Sequence, residues 1–248
     1  MKILNLNAWL MPMHLSSQNK KRLKKILDLI HALEPEVITL QEVWPKSSLK
    51  KLKKMMQGYT VIANPNKLFN ASGLVTLSKL PVLSNKLHIF KPTKHYKLYE
   101  RLVKKGFMVT KVDYDGKQVD IVNTHLHQSD PGSKNIYKQV TKQQFTAIER
   151  HCFIVPRPLL VLGDFNMHYD ELKKVNHYLK LPNAKPITTV AQKNKLANKR
   201  LNKTRIPARQ LDYVMYHENG KHMNVAMKVF DLEVSDHYPL LCTVSFGK

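Results

Sequence analysis

Cysteine is nearly absent. Cys152 and Cys242 are the only two in a chain of 248 residues. They are too few for a disulfide framework and stand outside any C-x-x-C pair, which fits a reducing compartment. Both read as small buried hydrophobes. Glycine is also scarce, at 8 residues. No Gly/Ser linker, repeat or low-complexity tract divides the chain, so residues 1–248 read as one domain. No run approaches the ~18 apolar residues of a membrane-spanning helix. The opening Met-Lys-Ile-Leu-Asn turns polar at once, without the apolar core of a signal peptide. The expectation is a protein that is not transmembrane, cytoplasmic or exported without a cleaved signal peptide. Acidic residues are in short supply, 18 against 41 Lys and Arg, giving a formal net charge of +23. Such an imbalance points to an anionic partner: nucleic acid, an anionic membrane face or a phosphorylated substrate. Aromatics are 8% of the chain and do not interleave with the basic stretches Lys20–Lys25, Lys46–Lys54 and Lys193–Arg209. That pattern offers no stacking platform for single strands.

What remains is an ordinary globular composition, 43% hydrophobic and 24% charged, in a chain long enough to bury a core without staples. Helical spacing of apolar residues predicts helices over 19–33 and 47–56, both with Lys-rich outer faces, and over 133–151. Short apolar or alternating runs predict strands at 2–7, 37–41, 59–63, 74–78 and 82–90, and again at 159–163, 211–216, 223–229 and 240–246. Residues 106–114 and 119–125 read as a hairpin around Asp115-Gly116. The stretch from Asp170 to Arg209 is mixed and basic and shows no clear period. Roughly ten strands and about four helices, with hairpins among them, favour two packed, largely antiparallel sheets with helices outside.

Polar residues at the ends of apolar strands place side chains where a site is both rigid and wet. Asn7, Glu42, Asn123, His125, Asp164, Asn166, Asp212, Asp236 and His237 all stand at such ends. Metal-assisted phosphoester hydrolysis needs these residue types. A hard dication prefers carboxylate and other oxygen ligands; Glu42 and Asp236 fit that role, with Asn7 as a neutral oxygen donor. A histidine near its ordinary pKa can deprotonate water, and a carboxylate behind it sets its tautomer; His237 and Asp212 make that pair. Asn166 and Asn123 can hold a phosphoryl oxygen as its charge grows, and His125 can stabilise or protonate the departing oxygen. Taken singly, each motif is more often a turn, a helix start or a solvated side chain. Their joint occurrence carries the reading.

The same residues resemble the endonuclease/exonuclease/phosphatase superfamily, which includes DNase I-like nucleases, abasic-site endonucleases, inositol-polyphosphate phosphatases and neutral sphingomyelinases. The matching segments are Lys-Ile-Leu-Asn-Leu-Asn-Ala-Trp at 2–9, Ile-Thr-Leu-Gln-Glu-Val at 38–43, Ser-Gly-Leu-Val-Thr-Leu-Ser-Lys-Leu-Pro-Val at 72–82, Val-Asn-Thr-His-Leu at 122–126, Gly-Asp-Phe-Asn at 163–166, Leu-Asp-Tyr-Val at 211–214 and Ser-Asp-His-Tyr-Pro-Leu at 235–240. The resemblance implies an α+β fold, a four-layer α/β/β/α sandwich of two mainly antiparallel sheets flanked by helices. It implies a divalent cation, usually Mg2+, with Mn2+ as the alternative. Glu42 is then the metal ligand with Asn7 beside it and Asp236 on the metal side. Asp164 and Asn166 flank the attacking water and the phosphate, and Asp212 orients His237. His237 is the expected base, and Asp164 is its rival. Asn-Ala-Trp-Leu-Met-Pro at 7–12 is similar to the Asn-x-Trp-x-x-Pro opening of neutral sphingomyelinases, and Lys104-Lys105-Gly106-Phe107 to a Lys-Gly-aromatic strand of that branch, which makes Lys105 a candidate substrate contact. The implied function is a sphingomyelinase-like phosphodiesterase. A nuclease, an inositol-polyphosphate phosphatase and a catalytically dead phosphate-binding scaffold stand as alternatives. The expected partner is an anionic phosphoester substrate, met on a phospholipid membrane surface or in nucleic acid. No protein partner is expected, and the chain is expected to be a monomer.

Overall fold

The computed structural model describes residues 1–12, 16–93, 103–128, 135–191, 193–197 and 208–247. In chain order the elements are β1 (Lys2–Leu10), α1 (Asn19–Leu33), β2 (Val37–Val43), α2 (Lys46–Met55), β3 (Thr60–Pro65), β4 (Asn70–Ser78), β5 (Val82–Ile89), β6 (Gly106–Tyr114), β7 (Lys117–His125), α3 (Asn135–Ile154), β8 (Leu159–Asp164), α4 (Tyr169–Val175), β9 (Asp212–His217), β10 (Met223–Val229) and β11 (Leu240–Phe246). Each strand expected from the sequence is present. β1, β2 and β8 run past their expected ends at the polar positions, so Glu42 and Asp164 lie on strands rather than after them. The unread stretch holds α4 and two isolated bridges, Lys180 with Tyr216 and Val190 with Arg209. Residues 198–207 of the third basic stretch, and 133–134 of the expected third helix, lie outside the described residues.

Two sheets form, in the orders β10-β11-β1-β2-β4-β3 and β5-β6-β7-β8-β9. All neighbours are antiparallel except β1 with β2 and β7 with β8. A parallel pair needs a crossover, and α1 and α3 supply one for each sheet. Period-two alternation sorts the side chains into layers. Leu4, Leu6, Ile38 and Leu40 pack against Leu23, Ile26, Leu49 and Leu52 of α1 and α2. Val122, Val161 and Tyr213 pack against Phe145 and Ile148 of α3 and Leu172 of α4. Ile3, Val37, Ile121, Leu160, Leu162, Val214, Leu240 and Cys242 fill the space between the sheets. The result is the expected α/β/β/α sandwich. No helix among the described residues is long and apolar enough to cross a membrane.

The inter-sheet layer changes character along the strands. Ile3 is followed at the same face by Asn5 and Asn7, Val37 by Thr39 and Gln41, and Ile121 by Asn123 and His125. Buried amides therefore occupy the middle of the sandwich. Asn5 Oδ1 accepts from Thr39 Oγ1 and from Gln41 Nε2, each at 2.9 Å, and Gln41 Nε2 also donates to Asn123 Oδ1 at 2.8 Å. Asn123 Nδ2 crosses to the carbonyls of Leu40 and Val75 at 3.2 and 3.0 Å. Each buried polar group must find a partner, so this network fixes the register of one sheet on the other. Beyond it, at one end of the sandwich, the carboxylates and imidazoles gather.

Candidate active site

Left-handed residues at the strand ends aim the polar groups into this end. Trp9, Glu42 and Asn166 have φ of 46°, 55° and 50°. Side chains resist this region, and such residues concentrate where a site needs them. At Glu42 the turn breaks the alternation of β2: Gln41 and Glu42 both face inward and Val43 returns to the helix side. At Trp9 it accompanies an irregularity between Asn7 and Leu10 in the β1–β2 pairing. Arg22 of α1 holds that bend. It is buried, its guanidinium lies 4.6 Å from the Trp9 ring centroid, and it donates to the carbonyls of Ala8 and Trp9 at 2.7 and 2.6 Å. Nothing in the helical spacing singles Arg22 out from the exposed lysines around it.

Asn7 joins the two sheets at the site. Its Nδ2 donates to Glu42 Oε1 at 3.1 Å and to Asp164 Oδ2 at 2.9 Å, while its Oδ1 accepts from the Trp9 N–H at 3.1 Å. This differs from the expected neutral oxygen ligand. The amide turns nitrogen, not oxygen, towards the carboxylates, because two acceptors face it there and a backbone donor lies behind it. Asn7 clamps Glu42 to Asp164. His125 Nε2 lies 3.6 Å from Asp164 Oδ2 and 4.0 Å from Glu42 Oε1.

His237 stands on the other side of Asp164. Its Nδ1 is 2.7 Å from Asp212 Oδ2, and its Nε2 is 3.7 Å from Asp164 Oδ2. Burial alone would lower its pKa. The charges of Asp212 and Asp164, the hydrogen bond to Asp212 and the charge of Asp236 outweigh burial and push it up to about 10. Asp236 is buried and its Oδ1 accepts from Ser235 Oγ at 3.0 Å. The dyad is held from the unread stretch. Thr189 Oγ1 accepts from the backbone N–H of Leu211 and of Asp212 at 3.0 and 3.2 Å, and its carbonyl accepts from Tyr238 N–H at 2.8 Å. Asn194 Nδ2 donates to the Ser235 carbonyl at 2.8 Å. Thr189 and Asn194 carried no sequence signal, being a threonine and an asparagine in an aperiodic basic segment.

Asn166 and Lys105 meet at one carbonyl. Asn166 Nδ2 and Lys105 Nζ donate to Leu126 O at 3.1 and 2.6 Å, and the Asn166 N–H donates to Asp164 Oδ1 at 2.9 Å. Both therefore border the pocket beside His125. Asn123 does not. It is fully buried one layer deeper, with its amide committed to the inter-sheet network, so it acts through the position of β7 and cannot reach a substrate.

The donor set suits a hard cation. Glu42, Asp164, Asp212 and Asp236 are all buried at one end of the sandwich. Among the described residues no lysine or arginine is in ion-pair reach of Asp164 or Asp212. Single oxygens of Asp164 and Asp212 and a nitrogen of His237 lie within 4.8 Å of one another. His237 and Asp212 satisfy each other, and the carboxylates of Glu42, Asp164 and Asp236 are oxygen donors of the kind a hard ion takes. Buried carboxylates so close together are costly unless positive charge compensates them.

Comparison with known proteins agrees with this architecture. Sphingomyelin phosphodiesterase 2 of Rattus norvegicus is 25% identical over 179 residues, 69% of this chain and 42% of its own. Sphingomyelinase C 2 of Leptospira interrogans is 23% identical over 206 residues, 71% of this chain and 33% of its own. The chain thus spans about a third to two fifths of the length of these relatives. A crystal structure of Staphylococcus aureus beta toxin with bound magnesium ions superposes with a TM-score of 0.73 at 19% identity, over 97% of this chain and 98% of that one. D. rerio TDP2 complexed with a single-strand DNA product gives 0.75 at 15% identity, over 99% and 98%. The model described as "Endonuclease/Exonuclease/phosphatase family" matches residues 13–237, a span that takes in the whole second sheet and β2, β3, β4 and β10 of the first, and ends on His237. The chain belongs to the endonuclease/exonuclease/phosphatase family.

Proposed function

We propose that the chain is a divalent-metal-dependent phosphodiesterase that hydrolyses a phospholipid headgroup ester, in the manner of a sphingomyelinase. One observation carries this reading: the His237–Asp212 pair faces Asp164, which Asn7 joins to Glu42 across the two sheets. Glu42 and Asp236 would hold Mg2+ or Mn2+, with Asp164 on the near side. Bound there, the ion supplies charge withdrawal from the phosphoryl oxygens. Asp212 accepts a hydrogen bond from His237 Nδ1–H, and a dication beside Asp164 and Asp236 would offset the carboxylate charge that raises the His237 pKa, leaving Nε2 as the basic nitrogen. A water between Nε2 and Asp164 gives its proton to His237 as its oxygen attacks phosphorus. The ester P–O bond then breaks, and the departing alkoxide takes a proton from His125. Asn166 and Lys105 border the place where a non-bridging oxygen gains charge, and donors placed there favour the transition state. The Asn-x-Trp-x-x-Pro run at 7–12 and the sphingomyelinase relatives support the lipid branch.

The test presents the purified chain with sphingomyelin vesicles, plasmid DNA and inositol polyphosphates, each with Mg2+ and with EDTA. Headgroup release from the lipid in Mg2+ and none in EDTA is expected. His237→Ala should lower the rate by roughly 10^2- to 10^4-fold. Plasmid nicking without lipid hydrolysis overturns the substrate class in favour of a nuclease. Equal turnover in EDTA overturns the metal.

A further inference from the structure

Strand direction places several loops around the mouth of this pocket. β1 and β2 run parallel towards it, so α2 starts there, immediately after β2. β4 runs antiparallel to β2 and β3 to β4, so the β3–β4 turn lies at the same end. β6 starts there as well, because it pairs antiparallel with β7. This side of the mouth carries Lys46 and Lys50 of α2, Lys67 of the turn and Lys104 before β6, all exposed. α2 contains no acidic residue. The exposed acids Asp170 and Asp231 follow β8 and precede β11, on the opposite side of the mouth.

At the tip of the β3–β4 turn stands Leu68, 81% exposed. Its exposure is built in. Asn66 Oδ1 accepts from the N–H groups of Leu68 and Phe69 at 2.8 and 2.9 Å. Phe69 packs edge-on against Trp44 at 6.2 Å, and Lys46 Nζ donates to the Lys67 carbonyl at 2.7 Å. Phe69 is thus drawn in, Leu68 is left out, and the tip is tied to the start of α2. A leucine held in water beside lysines matches a surface with anionic headgroups over an apolar layer, whereas a phosphate backbone offers it no apolar partner. The one arginine of α1, Arg22, is buried beneath β1 and α2 has none, so these two helices offer the outside point charges rather than planar forks.

We propose that this edge, Leu68 flanked by Lys46, Lys50, Lys67 and Lys104, docks the protein on an anionic bilayer surface. Leu68 enters the acyl boundary, and the lysines meet the headgroups. This proposal rests on the lipid-headgroup reading above, because it turns the pocket mouth towards the bilayer. It is tested by sedimentation of the full chain with vesicles of phosphatidylcholine and phosphatidylserine that contain no sphingomyelin. Binding is expected at low salt, lost with phosphatidylcholine alone and weakened in about 0.5 M salt. Lys67→Glu with Leu68→Ser should lower the partition by about tenfold or more. The same double variant should keep its melting temperature and its Mg2+-dependent hydrolysis of a water-soluble phosphodiester. Equal sedimentation of variant and parent overturns the docking edge, as does failure of the parent to bind phosphatidylserine vesicles. Binding by a chain that hydrolyses no lipid leaves the edge standing and overturns the lipid-hydrolase reading. Hydrolysis of sphingomyelin in detergent micelles without vesicle binding does the reverse.

Discussion

Thr189 shows how a residue with no chemistry of its own holds two others in place. Its hydroxyl is the acceptor for the Asp212 N–H, and its carbonyl is the acceptor for Tyr238 N–H, next to His237. One residue thus holds both members of the dyad, Asp212 through its side chain and the neighbour of His237 through its main chain. Thr189→Val keeps the shape and the carbonyl but removes the hydroxyl, leaving the buried Asp212 N–H and the partly buried Leu211 N–H unmet, at about 1–3 kcal/mol for a buried donor before relaxation. The dyad should shift while the phosphate pocket stays in place. The expected result is a fall in kcat of about tenfold or more with little change in KM. Thr189→Ser, which restores the oxygen, should recover most of the rate. Steady-state kinetics on the three proteins checks this, and a change confined to KM would show that Thr189 acts on binding instead. The residues gathered in the candidate site were legible because acids, amides and histidines are rare ends for apolar strands. Thr189, Asn194 and Arg22 were not, because support for a backbone amide or carbonyl leaves no pattern in a sequence. Asn7 was legible as a site residue, but its role was not. Only the neighbours of an amide decide which of its ends faces the carboxylates.

At the scale of the element, β8 carries the site through a glycine. Gly163 has φ 153°, and a Cβ there would sit 2.0 Å from the Thr124 carbonyl oxygen of β7. The close approach lets the β7–β8 ladder run to its last pair, His125 with Asp164. Gly163→Ala must push the strands apart at that pair. The expected loss of stability is several kcal/mol, read as a lower urea midpoint, and activity should fall further than stability because Asp164 moves with the strand. An unchanged midpoint would show that β7 yields without cost. Periodicity located the strands well because each packs one face on helices and the other on the opposite sheet. It fell short at their ends, where Trp9, Glu42 and Asn166 take left-handed backbone that the residue types do not announce. It also missed α4, since its seven residues offer too few turns for a period to show.

The whole molecule is held by three apolar layers, and its two cysteines probe two of them. Cys152 lies between the second sheet and α3, and Cys242 lies between the sheets. Burial pushes each thiol from 9.0 up to about 12, helped at Cys152 by the charges of Glu149 and Asp120 and opposed at Cys242 by the N-terminal ammonium. Unfolding returns both thiols to water. Between pH 9.0 and about 12 the unfolded chain releases protons that the folded chain keeps. The thiols' contribution to stability is therefore whole below the lower value and is lost as pH rises through the upper one. The slope is on the order of 1 kcal/mol per pH unit for each thiol. Tyr59, raised to about 12 chiefly by burial, acts in the same direction. Urea unfolding at alkaline pH should show a falling midpoint, and Cys152→Ala with Cys242→Ala should flatten that fall in part. At pH 8 an aromatic disulfide reagent should find no reactive thiol in the folded protein and two in denaturant. A thiol that reacts in the folded state would mean that one of the two layers opens to solvent, and the site built at their common end would open with it.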